Sequence, residues 1–197
     1  MTRSGYIVNR AALPKAYPTH RHAASFWEAL GRSVATFGFL EDALCKAIFA
    51  LTATTEHEGD EIEEAYRKWL PTLERAFSDP LGNLIDVYAK ALRNHQDANI
   101  ENLEDLIEDL RSAASLRNVI CHGSWPPPDA SGAAIPFYVN KQGEIFSTAV
   151  DIAFLAQLRT STLNLACSVV DTVTHMGWQF PSTGGPGEVI WQPTGKQ

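Results

Sequence analysis

The length, composition and charge of the chain narrow its class. It has 197 residues, 45% of them hydrophobic, which suits one domain with terminal arms and is enough to bury a core. The formal net charge of −7 argues against a broad basic face for duplex nucleic acid, although not against a small site for one phosphodiester. The three cysteines form no CxxC pair, and no apolar run reaches the roughly 18 residues of a membrane-spanning helix. We therefore expect reduced, partly buried thiols in a cytoplasmic protein without a membrane partner.

The first 24 residues show little periodicity and are predicted to form an arm on the surface of the protein or on a second subunit. His20 and His22 lie close together in this arm, but no third ligand follows them. A metal site needs more ligands, so we interpret the two imidazoles as part of a solvated helix entry. His95, at the end of a later predicted helix, is interpreted as an exposed imidazole because nothing apolar in the sequence encloses it.

Helical periodicity begins at about Phe26 and continues to about Leu51, with Glu41 at the edge of its apolar stripe. A second helix follows, in which Pro71 should cause a kink or a break. A third helix begins after Asp79. The apolar stripe of a fourth helix consists of Leu103, Ile107, Leu110, Ala114 and Cys121.

After the three prolines at 126–128, the apolar pattern changes to alternation. Ile135, Phe137 and Val139 alternate with Pro136 and Tyr138, and residues 140–143 have the composition of a turn. Residues 144–147 would then form a second strand that runs back along the first. This predicts a small β-hairpin that must lie against helices, followed by a last helix to about Met176. The prediction is an all-α fold: an antiparallel bundle of about five helices over residues 25–176, with the hairpin inserted before the last helix. A Gly- and Pro-rich tail covers 177–197.

The fourth helix ends in a polar cluster. Arg117 falls within about 40° of the centre of the apolar stripe, where a guanidinium is almost never buried without a partner. Glu41 is one candidate partner, and the alternative is that Glu41 is a boundary carboxylate in water. Asn118 and His122 are four residues apart and share one side of the helix. Gly123 follows as the predicted C′ residue.

The segment from Arg117 to His122, with the polar Asn118 directly after the arginine, resembles the RxxxxH motif of the HEPN superfamily. Gly123 and Trp125 also fit this family, and the resemblance covers about residues 25–176. It implies a homodimer whose two motifs meet across a two-fold axis. Many members are metal-independent ribonucleases of toxin–antitoxin or phage-defence systems, and others have lost catalysis. By matching position, Arg117 and His122 would carry the chemistry and Asn118 would orient them.

The chemistry of these residue types agrees with that resemblance. RNA cleavage by its own 2′-OH needs proton transfer and stabilisation of charge at phosphorus. Imidazole titrates near neutral pH, and guanidinium clamps phosphate oxygens. Arg117 and His122 point about 140° apart on one helix. Two copies of the motif at a two-fold interface could aim both groups at one atom, which a single copy could not easily do.

Two hypotheses of function remain open. The first is a homodimeric endoribonuclease that needs no metal or cofactor, acts on RNA and leaves 2′,3′-cyclic phosphate ends, with an antitoxin or other protein as a further partner. The second is a non-catalytic homodimeric module that binds a nucleotide or a protein, favoured by the acidic composition. A purely structural role is also open, in which Arg117 pairs with Glu41 and His122 caps helix carbonyls. Trp125 and the prolines at 126–128 need cover, either from a partner subunit or from the hairpin or tail.

Overall fold

The longest helix, α1 (Ala24–Ala53), is the one around which the others pack. Four more α-helices lie in the described part of the chain: α2 (Ile62–Ala76), α3 (Leu81–Asn94), α4 (Leu103–His122) and α5 (Ile152–Thr174). The computed structural model describes residues 6–55, 58–59, 61–76, 78–98 and 100–182. The predicted all-α class is confirmed, and α1 makes its most extensive contact with α5.

The core forms where apolar stripes of these helices face one another. In α1 the buried positions recur at three- and four-residue steps, as one face of a helix requires. Each large apolar side chain that is fully buried contributes about 1.5–3 kcal/mol. The fully buried aliphatic side chains of the core include Leu40, Leu44, Ile48, Leu84, Ile85, Ile107, Leu110 and Leu155.

Two helix boundaries depend on individual residues. α2 continues through Pro71 as one helix, so the proline does not end it. α5 begins after Asp151, whose Oδ1 accepts a hydrogen bond from the backbone N–H of Phe154 at 2.7 Å. This side-chain bond satisfies one of the free N–H groups at the start of the helix. Within the described residues, no helix is both long and apolar enough to cross a membrane.

The β-hairpin predicted before the last helix is wrong. Residues 123–151, which we call the α4–α5 connection, contain only isolated antiparallel pairings: Ser124 with Phe137, Ala134 with Val150, and Val139 with Ile145. Val139 pairs with Ile145 around the predicted turn, with backbone hydrogen bonds from Asn140 to Glu144 and from Phe146 to Tyr138. Phe137 and Ala134 pair instead with Ser124 and Val150, so the pairing ends close to this turn and forms no regular two-stranded ladder. Pro136 also lacks the N–H that a ladder needs.

The alternation in this connection is real, but its apolar side faces outward. Pro136 is buried and Tyr138 is half-buried, whereas Ile135, Phe137 and Val139 are 49%, 65% and 44% exposed. Ile145, the partner of Val139, is 65% exposed. We call these four exposed side chains the apolar strip: Ile135, Phe137, Val139 and Ile145.

The arm before α1 is tied to the far end of α4. His22 is buried, its ring stacks on Phe26 with centroids 4.3 Å apart, and its Nε2–H donates to the carbonyl of Pro126 at 2.7 Å. The interpretation of this histidine as solvated is therefore wrong. After α5, Phe180 is buried in the core, and residues 183–197 of the predicted tail lie outside the described residues.

Two other residues also differ from the expectation. His95 is buried, not exposed: its Nδ1 accepts from the N–H of Asp97, which leaves Nε2–H to donate to the hydroxyl of Thr54 at 3.0 Å. Cys121, predicted on the core stripe of α4, is exposed, and Val119 and Ile120 are buried there instead. Both errors arise because distant segments, not local periodicity, decide which side of a helix end is covered.

Candidate functional site

The polar cluster lies in the last turns of α4, which ends at His122 as predicted. The backbone N–H of Gly123 donates to the carbonyl of Val119 at 2.8 Å, and the chain then becomes extended, with φ −67° and ψ 143° at Gly123. The glycine is not in the left-handed conformation common after helices. Glycine is needed here for space, because a Cβ would lie 2.6 Å from the Val119 oxygen and 3.0 Å from Cβ of Pro136.

Arg117 and Glu41 come together between α4 and α1. Nη2 of Arg117 lies 3.3 Å from Oε1 of Glu41, and the two side chains are 26% and 29% exposed. The core-facing position predicted for Arg117 thus places it beside the carboxylate at the edge of the α1 stripe. At this partial burial the pair is screened less than a surface ion pair, and each charge limits the cost of desolvating the other.

The contact between Arg117 and Glu41 is electrostatic rather than a well-formed hydrogen bond. Oε1 of Glu41 is buried and accepts no hydrogen bond from the described residues. A guanidinium carries five N–H donors, and this contact aligns none of them with Oε1. The pair therefore holds Arg117 beside Glu41 through charge, without a hydrogen bond to the buried carboxylate oxygen.

Asn118 and His122 lie on a different side of the helix from the Arg117–Glu41 contact. Asn118 is half-buried and lines a groove against the α4–α5 connection, whereas His122 is exposed in the last turn. Four residues of helix correspond to a rise of about 6 Å. Within one chain, the structure brings Arg117 to Glu41 and leaves the His122 imidazole open to solvent.

The groove beside Asn118 has a volume of about 650 Å³. We call it the α4 groove, and it lies between α4 and the turn at 140–144. Leu116, Val119 and Phe146 are apolar residues of its lining. The remaining lining residues are Ser112, Ser115, Asn118, Tyr138, Asn140, Lys141, Gln142, Glu144 and Ile145.

Trp125 is covered differently from the expectation. It is half-buried, and its ring lies 5.1 Å from that of Phe26 and 6.5 Å from that of His22. The N-terminal arm and the start of α1 thus provide cover that was expected from a partner subunit, the hairpin or the tail. His22 is extended and directly precedes Ala23, the N-cap of α1, so its stacking on Phe26 is not a contact that helical spacing in the sequence could show.

The apolar strip is the surface near the motif that sequence reasoning missed. Phe137 exchanges backbone hydrogen bonds with Ser124, two residues beyond His122, at 2.8 and 3.0 Å. The exposed ring of Phe137 therefore belongs to a segment directly bonded to the one that leaves the helix end. Alternation in the sequence showed that Ile135, Phe137 and Val139 share a side but not that this side faces outward.

Among the described residues, no group of three His, Cys, Asp or Glu side chains is arranged to hold a metal ion. Comparisons of the chain with protein-family models, with curated proteins and with solved structures find no match.

Proposed function

We propose that the protein is a homodimeric, metal-independent endoribonuclease of the HEPN type that acts as a toxin or as part of a defence system. In this proposal, Arg117, Asn118 and His122 of two subunits form a composite site. The observation that carries the proposal is the arrangement at the end of α4. There, the exposed His122 imidazole and a guanidinium anchored 3.3 Å from Glu41 share the last turns of one helix.

The reaction would be cleavage of RNA by its own 2′-hydroxyl group. The 2′-oxygen attacks phosphorus and loses its proton to a base, the bond from phosphorus to O5′ breaks, and O5′ takes a proton from an acid. The products are a 2′,3′-cyclic phosphate and a free 5′-hydroxyl. His122 is the group for proton transfer, because imidazole both accepts and donates protons near neutral pH. Arg117 is the group for the negative charge that develops on the phosphoryl oxygens.

The proposed site needs two subunits because of helical geometry. Arg117 and His122 point about 140° apart on α4 and are separated by a rise of about 7.5 Å. A two-fold axis near the end of α4 would place His122 of one subunit opposite Arg117 of the other. The apolar strip supports such contact, because exposed apolar residues this close together mark surfaces that bind other molecules.

The proposal is tested on a mixed pool of single-stranded RNA in the presence of EDTA. We expect wild type to cleave and to leave 2′,3′-cyclic phosphate ends, and we expect His122→Ala and Arg117→Ala to lose cleavage by at least about 100-fold. His175→Ala is the matched control, because His175 is another exposed imidazole just beyond a helix end. It should leave cleavage unchanged. Cleavage that persists in His122→Ala would refute the proposal.

The alternative is a non-catalytic homodimeric HEPN-like module that binds a nucleotide or a protein. The specific observation in its favour is the Arg117–Glu41 contact, because an arginine that serves only to join α4 to α1 would make the same contact. This alternative predicts no cleavage by wild type or variants. It also predicts that Arg117→Ala changes thermal stability, while His122→Ala changes neither stability nor binding.

A further inference from the structure

We infer that the α4 groove binds one nucleotide of single-stranded RNA and thereby presents the neighbouring phosphodiester to His122. The inference rests on the proposed function, since it names the substrate-binding part of that site. The groove is separate from the Arg117–Glu41 contact, and it adjoins the motif through Asn118.

The size and lining of the groove suit a nucleobase. Its volume of about 650 Å³ falls within the range of roughly 300–1,000 Å³ that small-molecule sites occupy. The half-buried Leu116 and Phe146 provide apolar surface against which the flat faces of a base can pack, and the half-buried Tyr138 adds a second aromatic ring. Proteins recognise single-stranded RNA in this way, with bases packed on aromatic side chains and read at their edges.

The polar part of the lining supplies groups for the edge of the base and for a phosphate. The amides of Asn118 and Gln142 each offer a donor and an acceptor, as base edges do. Lys141 is exposed at the turn and provides a cation for a phosphate oxygen. One local cation in a chain of net charge −7 suits a short single strand better than a duplex, which needs many phosphate contacts.

The turn that carries Lys141 and Gln142 is held in place before any ligand binds. Oδ1 of Asn140 accepts from the backbone N–H groups of Gln142 and Glu144 at 3.0 and 2.9 Å. Nδ2 of Asn140 donates to Oε2 of Glu144 at 2.7 Å. These bonds fix the tip of the turn and reduce the entropy that ligand binding would cost. The Glu144 carboxylate favours an amino group of a base over a phosphate at that part of the groove.

The position of the groove relative to His122 determines which phosphodiester of the bound RNA lies beside the imidazole. Asn118 lines the groove, and His122 lies one helical turn further along the same side of α4, about 6 Å away. A nucleotide held against Asn118 would therefore have its phosphodiester close to the imidazole. Residues of the groove would then determine which base precedes or follows the cleaved bond.

Binding is measured by fluorescence polarisation with labelled single-stranded RNA 8-mers of A, C, G or U. All proteins in this assay carry His122→Ala, so that the probe stays intact. We expect Lys141→Ala to weaken binding by at least about tenfold, the loss expected for one hydrogen bond to a charged phosphate, and Gln142→Ala to weaken it by about twofold to tenfold, the loss expected for a neutral one. Ser115→Trp, which fills the groove, should weaken binding further. Lys90→Ala removes an equal charge from α3 outside the groove and should have no effect.

A second measurement separates this inference from the proposed function. In proteins that retain His122, we expect Lys141→Ala and Gln142→Ala to raise KM for a short RNA while kcat stays within about twofold. The inference would be overturned if all three groove variants are folded, as judged by thermal melts, and yet bind and cleave RNA as the unchanged protein does. The ribonuclease proposal would then still stand. Groove-dependent RNA binding without cleavage by wild type would refute the ribonuclease proposal and support the groove.

Discussion

The contact between Arg117 and Glu41 should contribute measurably to the free energy of unfolding. Loss of one partner costs about 3–5 kcal/mol for buried pairs, and exposed pairs contribute about 0–1 kcal/mol. Because both side chains are about a quarter exposed, we expect Arg117→Ala to lower the free energy of unfolding by about 1–3 kcal/mol. His122 is exposed, so His122→Ala should change it by less than about 0.5 kcal/mol. Urea unfolding of the three proteins measures both differences.

A double-mutant cycle with Glu41→Ala attributes the loss to the pair rather than to lost packing of the arginine chain. We expect Arg117→Ala to cost less in the Glu41→Ala background than in wild type. Equal costs in the two backgrounds would contradict the coupling. This outcome bears on the proposed function, which requires Glu41 to hold Arg117 in place.

Tyr88 provides a prediction of how stability depends on pH. Its hydroxyl is buried and donates to Oγ1 of Thr172 at 2.9 Å, because the Thr172 hydroxyl itself donates to the carbonyl of Val169. Burial raises the pKa of Tyr88 well above its usual value, although the bond to Thr172 opposes this shift. In the unfolded chain, the hydroxyl of a tyrosine loses its proton at about pH 10, whereas in the folded protein Tyr88 stays neutral to higher pH. The stability that depends on neutral Tyr88 is therefore present below pH 10 and is lost as the pH rises further.

We expect the free energy of unfolding of wild type to fall above pH 10 more steeply than that of Tyr88→Phe, by up to about 1.4 kcal/mol per pH unit. Below pH 9, Tyr88→Phe should cost about 0.5–1.5 kcal/mol for the lost hydrogen bond. Urea unfolding at pH 8, 9, 10 and 11 measures both effects. Tyr66→Phe is the control on an exposed tyrosine and should follow wild type. Parallel curves for wild type and Tyr88→Phe would contradict the assignment.

The junction between α4 and the connection depends on a glycine for space. Since a Cβ at Gly123 would lie 2.6 Å from a backbone oxygen, Gly123→Ala must displace the connection or the last turn of α4. We expect it to cost about 1–3 kcal/mol, as overpacking usually does. Gly31→Ala in α1 is the matched control, because a Cβ there meets nothing within 4 Å. It should stabilise the protein by up to about 1 kcal/mol, since alanine favours helix over glycine.

Differential scanning calorimetry of Gly123→Ala and Gly31→Ala checks these opposite signs. If Gly123→Ala melts at or above the temperature of wild type, the close approach to Pro136 and Val119 is not a constraint. Because His122 directly precedes the displaced residue, Gly123→Ala should also reduce RNA cleavage more than its stability loss alone explains.

Assembly is the property of the whole molecule on which the proposed function depends. We expect light scattering to give a mass twice that of one chain. We further expect Phe137→Glu, in the apolar strip, to give a single-chain mass, since a buried carboxylate opposite a second copy would cost several kcal/mol. Leu163→Glu on α5 is the control, as Leu163 is an exposed apolar residue outside the strip. It should leave the mass unchanged.

Cleavage by the single-chain form of Phe137→Glu would contradict the composite site. If Phe137→Glu still has the mass of two chains, the dimer interface lies outside the apolar strip. In that case cross-links between the two exposed Cys121 thiols, one residue before His122, would show whether the motifs still face each other.

Much of the fold was predictable because helical periodicity is local. The α1 stripe, the end of α4 at His122 and the all-α class follow from residues within one or two turns of each other. The core-facing position of Arg117 follows in the same way, and the contact with Glu41 could be named because a guanidinium at such a position needs an anion.

The sequence by itself therefore determined that the fold is helical, which stripe of α1 is apolar, and that a polar cluster ends α4. Only the tertiary structure decided which surfaces are covered. His22 is buried where Pro126, 104 residues away, accepts its hydrogen bond. The predicted hairpin does not extend beyond the Val139–Ile145 pairing, because Phe137 pairs with Ser124 and Ala134 pairs with Val150. The α4 groove exists for the same reason, since it forms only where the turn at 140–144 meets Asn118. Such contacts join residues far apart in sequence, and the period of a helix or strand carries no information about them.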